Sequence, residues 1–159
     1  RLNIKGEFGP ALEEAQRARE LDPLYPWPHM YIAVAYEGLR QPSNAAASYR
    51  KAAEVAGAAG VRELSLVLAH SSLGEQLEAM RVARALEERA RRGEVALTWA
   101  GWAYAAVGDR DRAFEWLDRA FEKRERPFRY YIRMPVMQRL ADDPRYTQLL
   151  RRLERGVED

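Results

Sequence analysis

The chain has 159 residues, 47% of them hydrophobic, and its 26 basic and 24 acidic side chains leave a formal charge of +2. This length suits one domain with an ordinary core. The lack of cysteine excludes disulfides and thiolate metal sites, and two histidines are too few for a zinc site, so we expect neither metal nor cofactor. No apolar run is long enough to cross a bilayer and the first residues are no signal peptide, so we expect a cytoplasmic protein.

Apolar residues recur at helical spacing along the chain, and short turns marked by Gly or Pro separate the helical stretches. The predicted fold class is therefore all-α. Pro127 and Pro135 each remove a backbone donor, which predicts short or irregular helix between residues 127 and 142. The predicted helices cover residues 9–22, 28–40, 43–57, 61–73, 75–91, 94–107, 110–124 and 144–155.

Small residues repeat at intervals of thirty-four, at Ala11, Ala45, Ala79 and Ala113. We expect the two helices of a hairpin to approach most closely here, because a methyl group is the largest side chain that permits it. Seven residues further on, two turns along the same helix face, the pattern gives Ala18, Ala52 and Ala120, whereas the third repeat departs from it with Leu86. A fixed period of this length predicts a solenoid of stacked helical hairpins.

Turn residues follow the same period. Gly6, Gly74 and Gly108 share one position, where glycine can take the positive φ that ends a first helix. Arg40 stands there in the second repeat, and we expect Pro42 to supply that turn instead.

The segment Gly6 to Pro23 closely resembles the second helix and exit turn of a tetratricopeptide repeat (TPR), including the closing Asp-Pro. Further matches to the family's positions are Ile32, Ala33, Tyr36, Tyr49, Gly101 and Tyr104, while His29 and Leu97 stand where the family often has tryptophan. The resemblance covers residues 6 to 125 and is weakest over 61–92. It implies a right-handed α-α superhelix as one domain over 1–159: a partial repeat 1–25, repeats 26–59, 60–93 and 94–127, and a degenerate carboxyl-terminal cap 128–159.

A second resemblance concerns the tail. Residues 108–117, followed by 140–153, look like the carboxyl end of large bacterial regulators. In those proteins a TPR array follows a winged-helix domain or a protein kinase, often with a β-propeller between them. The usual Asp-Pro before the last leucine is replaced here by Met134-Pro135-Val136. This resemblance implies the interaction domain of a bacterial signalling or regulatory protein.

In the TPR family the first helices of the repeats line a concave groove that binds proteins or peptides. Aromatic side chains on rigid helices are the usual anchors of such a surface. A clamp for an acidic carboxyl terminus is not expected, because apolar residues replace the donors of that clamp. Whether Trp99 and Trp102 face the groove or fill space between repeats is left open. The groove positions fall on Trp27, Met30, Val34, Glu37, Leu64, Leu68, Ser71, Ser72, Thr98, Trp102 and Ala105, flanked by Tyr31, Ser65 and Trp99.

Residue types suited to catalysis occur at one helix end, where Glu75 follows His70-Ser71-Ser72. A triad needs three groups that converge from fixed places, so we interpret these as a polar helix face and expect no enzyme. Neighbouring carboxylates on a helix point in different directions and are interpreted as solvated charges, apart from the cap that Asp142 or Asp143 makes for the helix beginning at Pro144. The neighbouring pairs are Glu13-Glu14, Glu87-Glu88 and Asp142-Asp143.

The alternative function is nucleic-acid binding by the arginine-rich carboxyl-terminal part. Such a site needs arginines interleaved with exposed aromatic rings. The residues nearest to that mixture are Phe128, Arg129, Tyr130, Tyr131 and Arg133.

The amino-terminal edge carries one more expectation. In the repeat register, Arg1 to Lys5 form only the final turn of a first helix, so the next helix lacks most of its partner. Leu12, Ala15 and Leu21 would then meet water. We expect the chain to be the carboxyl-terminal piece of a longer protein and to form a homodimer through this edge.

Overall fold

The computed structural model describes residues 8–126, 128 and 134–155. These residues contain no β-strand, which confirms the all-α class. Each helix begins and ends within about three residues of its predicted bounds, which is the usual accuracy for helix ends predicted from a sequence pattern. The helices are α1 (Phe8–Leu21), α2 (Pro26–Gly38), α3 (Pro42–Val55), α4 (Val61–Ser72), α5 (Gln76–Arg91), α6 (Leu97–Val107), α7 (Arg110–Glu122), a 3₁₀ helix (Pro135–Leu140) and α8 (Pro144–Arg155).

The chain forms two compact units, Arg1–Val82 and Ala83–Asp159, which divide within α5. In the first unit, α1 packs on α2, α2 on α3, and α3 on α4, and α2 also touches α4. In the second unit, α6 packs on α7 and on the 3₁₀ helix. Helices that pack on their neighbours along the chain are the arrangement of an all-α helical repeat.

The turns after α2, α4 and α6 have the same backbone geometry. Arg40, Gly74 and Gly108 lie thirty-four residues apart, and their φ angles are 58°, 72° and 83°. The expectation for Pro42 was wrong, because Arg40 itself takes the left-handed conformation and Pro42 begins α3. Gly6, at the same predicted position, lies outside the described residues.

The predicted close-approach alanines are buried in three of the four repeats. Ala45, Ala79 and Ala113 are each 0% exposed. Gly101 of α6 lies against this part of α7, where an added Cβ would lie 2.7 Å from Leu117 and 3.3 Å from the Ala113 carbonyl oxygen. The residues seven positions further on, Ala52, Leu86 and Ala120, are also 0% exposed.

α1 departs from this pattern. Ala11 is half-buried and Ala18 is exposed. The prediction that Ala15 meets water was wrong, because α1 packs on α2 and Ala15 is its buried residue, 4% exposed. Leu12 is half-buried, whereas Leu21 is 88% exposed, as predicted.

The carboxyl-terminal part continues the period. The 3₁₀ helix lies in the region predicted to be irregular, although Pro127 is outside the described residues. α8 begins thirty-four residues after α7, so it occupies the position of a second helix in a further repeat. Asp143 caps α8, because its Oδ1 accepts from the Arg145 backbone N–H at 3.0 Å.

Candidate functional site

The predicted groove positions in the first unit differ in exposure. Trp27 and Met30 of α2 are 8% and 3% exposed, whereas Val34 and Glu37 are half-buried. On α4, Leu64 and Leu68 are buried. A side chain inside the unit supports the surface but cannot contact a partner directly.

Two serines at the end of α4 are the remaining predicted groove positions in the first unit. Ser72 Oγ lies 2.7 Å from Glu37 Oε1 and 3.0 Å from the Leu68 carbonyl oxygen, so its one proton can be donated to either acceptor. Ser71 is half-buried, but its Oγ is shielded from solvent and has no hydrogen-bond partner. We call Val34, Glu37, Ser71 and Ser72 the α2–α4 face.

The predicted groove positions on α6 are all buried. Thr98 and Trp102 are 0% exposed, and the edge of the Trp102 ring meets Trp99 with their centroids 5.2 Å apart. Every residue from Leu97 to Val107 is buried. This burial favours the alternative in which the two tryptophans fill space. The sequence carried the signal, because a helix that is apolar on all sides is normally buried.

Sequence reasoning missed the cap of α6. The Glu125 carboxylate accepts from the backbone N–H groups of Leu97 and Thr98 at 2.8 and 2.9 Å, and from the Thr98 hydroxyl at 2.7 Å. It satisfies donors that a helix start leaves open, from a position 28 residues further along the chain. No local capping pattern could have revealed it.

A buried carboxylate network joins α5, α6 and α7 in the second unit. Glu87 accepts from the Tyr104 hydroxyl, from Arg91 Nη2 at 2.7 Å and from Trp116 Nε1 at 3.3 Å. Arg112 donates to the Tyr104 hydroxyl at 3.1 Å. Burial favours a raised pKa for Glu87, but the hydrogen bonds from Tyr104, Arg91 and Trp116 outweigh it and lower the pKa. Burial and the bond to Glu87 raise the pKa of Tyr104 to about 12.

The candidate catalytic residues at the end of α4 bond to different partners. His70 Nδ1 lies 2.6 Å from Glu75 Oε2, while the Ser72 hydroxyl bonds to Glu37 or Leu68 rather than to His70. The interpretation of Glu87 as a solvated charge was wrong, because Glu87 is buried, whereas its neighbour Glu88 is exposed. Among the residues that the structure describes, no three His, Asp or Glu side chains come together as metal ligands.

Arginine side chains contact aromatic rings in the second unit. Arg91 and Arg119 lie over Trp116, with their guanidinium carbons 5.4 and 4.5 Å from the ring centroid. Phe128 is buried, and its ring meets Phe121 edge to face with their centroids 6.1 Å apart. The other members of the predicted aromatic and arginine mixture, residues 129–133, lie outside the described part.

No protein-family model matches the chain, and no curated protein matches it significantly. None of the helices in the described part of the chain combines the length and apolar character that a bilayer-spanning segment needs.

Proposed function

We propose that this chain is a TPR-type module that binds a protein or peptide partner, and that it is the cytoplasmic interaction domain at the carboxyl end of a bacterial signalling or regulatory protein. One observation carries the proposal. The left-handed turn residues Arg40, Gly74 and Gly108 and the fully buried alanines that follow them recur together every thirty-four residues. Repeats of this kind present an extended surface for partners.

The partner-binding surface that we propose is the α2–α4 face. Val34, Glu37, Ser71 and Ser72 are its half-buried members, and the buried Leu64 and Leu68 support it from within. The buried Trp102 acts as a packing residue in this proposal.

Site-specific photo-crosslinking tests the surface. A photoreactive amino acid replaces Val34 in one variant and Ala47, an exposed residue of α3, in the control. We expect a partner to be captured at position 34 but not at position 47, and we expect Glu37→Arg to reduce that capture. Equal capture at both positions, or capture at position 34 that Glu37→Arg does not reduce, would place the partner surface elsewhere.

The alternative function, nucleic-acid binding, is favoured by the arginine and ring contacts of the second unit. Arg91 and Arg119 are about half exposed over Trp116, so their guanidinium planes are accessible to bases, although the Trp116 ring itself is 0% exposed. Carboxylates compensate these arginines, since Arg91 pairs with Glu87 at 2.7 Å and Arg119 with Glu115 at 4.0 Å. Nucleic-acid binding would fall steeply with salt, and Arg119→Gln would weaken it more than the exposed control Arg62→Gln. Binding to a single-stranded oligonucleotide over a salt series decides between the two functions.

A further inference from the structure

Two matching contacts hold α8 against α7, and we call each contact a rung. In the first rung, Arg145 Nη1 donates to Asp111 Oδ1 at 2.8 Å, and its guanidinium carbon lies 4.4 Å from the centre of the Phe114 ring. In the second rung, Arg152 Nη1 donates to Asp118 Oδ1 at 2.5 Å, and its guanidinium carbon lies 4.3 Å from the Phe121 ring centre. Each arginine therefore meets one carboxylate and one aromatic face of α7, and Arg145 also bonds to Asp143 at the start of its own helix, with Nη2 2.8 Å from Asp143 Oδ2.

The two rungs share one spacing. Arg145 and Arg152 are seven residues apart on α8, as are Asp111 and Asp118 on α7 and the two phenylalanines beside them. Seven residues are about two helical turns, so all members of a set lie on the same face of their helix. The α7 face thus matches a helix that carries two arginines at this spacing.

Besides the rungs, α8 is held by two buried side chains and by an ion pair between Arg110 and Asp142 at 2.9 Å. Tyr146 and Leu149 are its buried side chains. The arginines of the rungs keep 43% and 38% of their side-chain surface exposed, and salt screens ion pairs of this kind. An equivalent helix would offer the same two arginines and the same two buried side chains to this face.

We propose that the face formed by Asp111, Phe114, Asp118 and Phe121 is a docking surface for a helix with two arginines seven residues apart, and that the α8 helix of a second copy can take the place of the chain's own α8. The seated α8 shows which chemistry the surface accepts. The chain's own α8 competes from an effective concentration in the millimolar range, so exchange between copies requires high protein concentration or a weakened α8. This surface lies wholly within the second unit and is independent of the α2–α4 face.

A labelled synthetic peptide of residues 142–155 serves as the probe, and its binding to the full chain is measured by fluorescence anisotropy. We expect the chain variant Arg145→Gln/Arg152→Gln to bind this peptide at least about tenfold more tightly than the unaltered chain, because its own α8 no longer competes well. Binding should weaken as salt is added. Adding Asp111→Asn and Asp118→Asn to that variant should abolish binding.

Two altered peptides supply the matched control. One carries glutamine at the rung positions 145 and 152, and the other carries glutamine at positions 151 and 155, which are also exposed arginines of α8. Both lose the same charge, yet only the first should lose affinity. Equal binding by the two peptides, or failure of the unaltered peptide to bind the weakened chain, overturns the proposal. Circular dichroism checks that the chain variant folds, and if it does not, the single variant Arg152→Gln carries the same test.

Discussion

At the level of single residues, Glu87 is the side chain whose removal we expect to destabilise the fold. Its carboxylate keeps 10% of its side-chain surface exposed and bonds to groups on α5, α6 and α7. Removing a carboxylate from such a network leaves buried donors without an acceptor, which costs more than the net gain of making each bond.

We expect Glu87→Ala to lower the free energy of unfolding by about 2–3 kcal/mol, because the Tyr104 hydroxyl and the Trp116 N–H lose their acceptor. Glu88→Ala is the matched control, since Glu88 keeps 63% of its side-chain surface exposed and should change stability by less than about 0.5 kcal/mol. Urea unfolding measures both. If both variants lose the same free energy of unfolding, the hydrogen bonds of Glu87 make no specific contribution to stability.

Arg40 carries backbone strain that its glycine counterparts avoid. Its φ of 58° lies in the left-handed region, where a residue with a Cβ is disfavoured. We expect Arg40→Gly to raise the free energy of unfolding by about 0.5–1 kcal/mol, the relief of strain less the entropy cost of glycine. Arg40→Ala removes the same side chain but keeps the strain. If thermal unfolding finds the two variants equally stable, the strain at this turn is negligible.

At the level of the helix pair, Gly101 sets how closely α6 approaches α7. An added methyl group would meet Leu117 and the Ala113 carbonyl, so Gly101→Ala should cost about 1–3 kcal/mol through overpacking. Gly9 is the matched control, because a Cβ there meets nothing within 4 Å and Gly9→Ala should stabilise α1 by up to about 1 kcal/mol. Melting temperatures that shift in the same direction for both variants would contradict the close approach.

The stabilisation of the beginning of α8 by Asp143 depends on pH. The side-chain bond from Arg145 holds the pKa of Asp143 down at about 2, below the 3.8 of the free side chain. A lowered pKa stabilises the folded state above pH 3.8, and this stabilisation is lost as the pH falls towards 2. Asp143→Asn keeps a capping oxygen but removes the charge. We therefore expect the stability difference between parent and variant to be largest at pH 5 and above and to vanish as the pH falls below 2, and urea unfolding across this range measures it.

The helices were predictable from the sequence because local spacing determines them. The burial of Ala45, Ala79 and Ala113 followed from the period alone. Glu125 was not predictable as a cap, because its acceptor role depends on a contact made 28 residues away from Leu97. The burial of the predicted groove positions on α6 could have been predicted from the sequence, because that helix is apolar on all sides.

At the level of the whole chain, the helices α1, α3, α5 and α7 share one position in the period but are not equivalent. Ala52, Leu86 and Ala120 are completely buried, but Ala18 at the same position of α1 is exposed. Leu21 and Leu24, which follow Ala18 in the sequence, are 88% and 76% exposed. The end of α1 therefore exposes apolar surface, whereas the equivalent position is buried in α3, α5 and α7.

We expect the chain to self-associate through this end of α1, because burying exposed apolar surface favours association by about 25 cal/mol per Å² before the cost of association is counted. Light scattering coupled to size exclusion should show a mass that rises with concentration, and Leu21→Glu should return it to that of the monomer. Leu77 of α5 provides the matched control, since it is 87% exposed and Leu77→Glu makes the same chemical change elsewhere. A monomer at every concentration, or an equal effect of the two substitutions, would show that the exposed end of α1 does not mediate association.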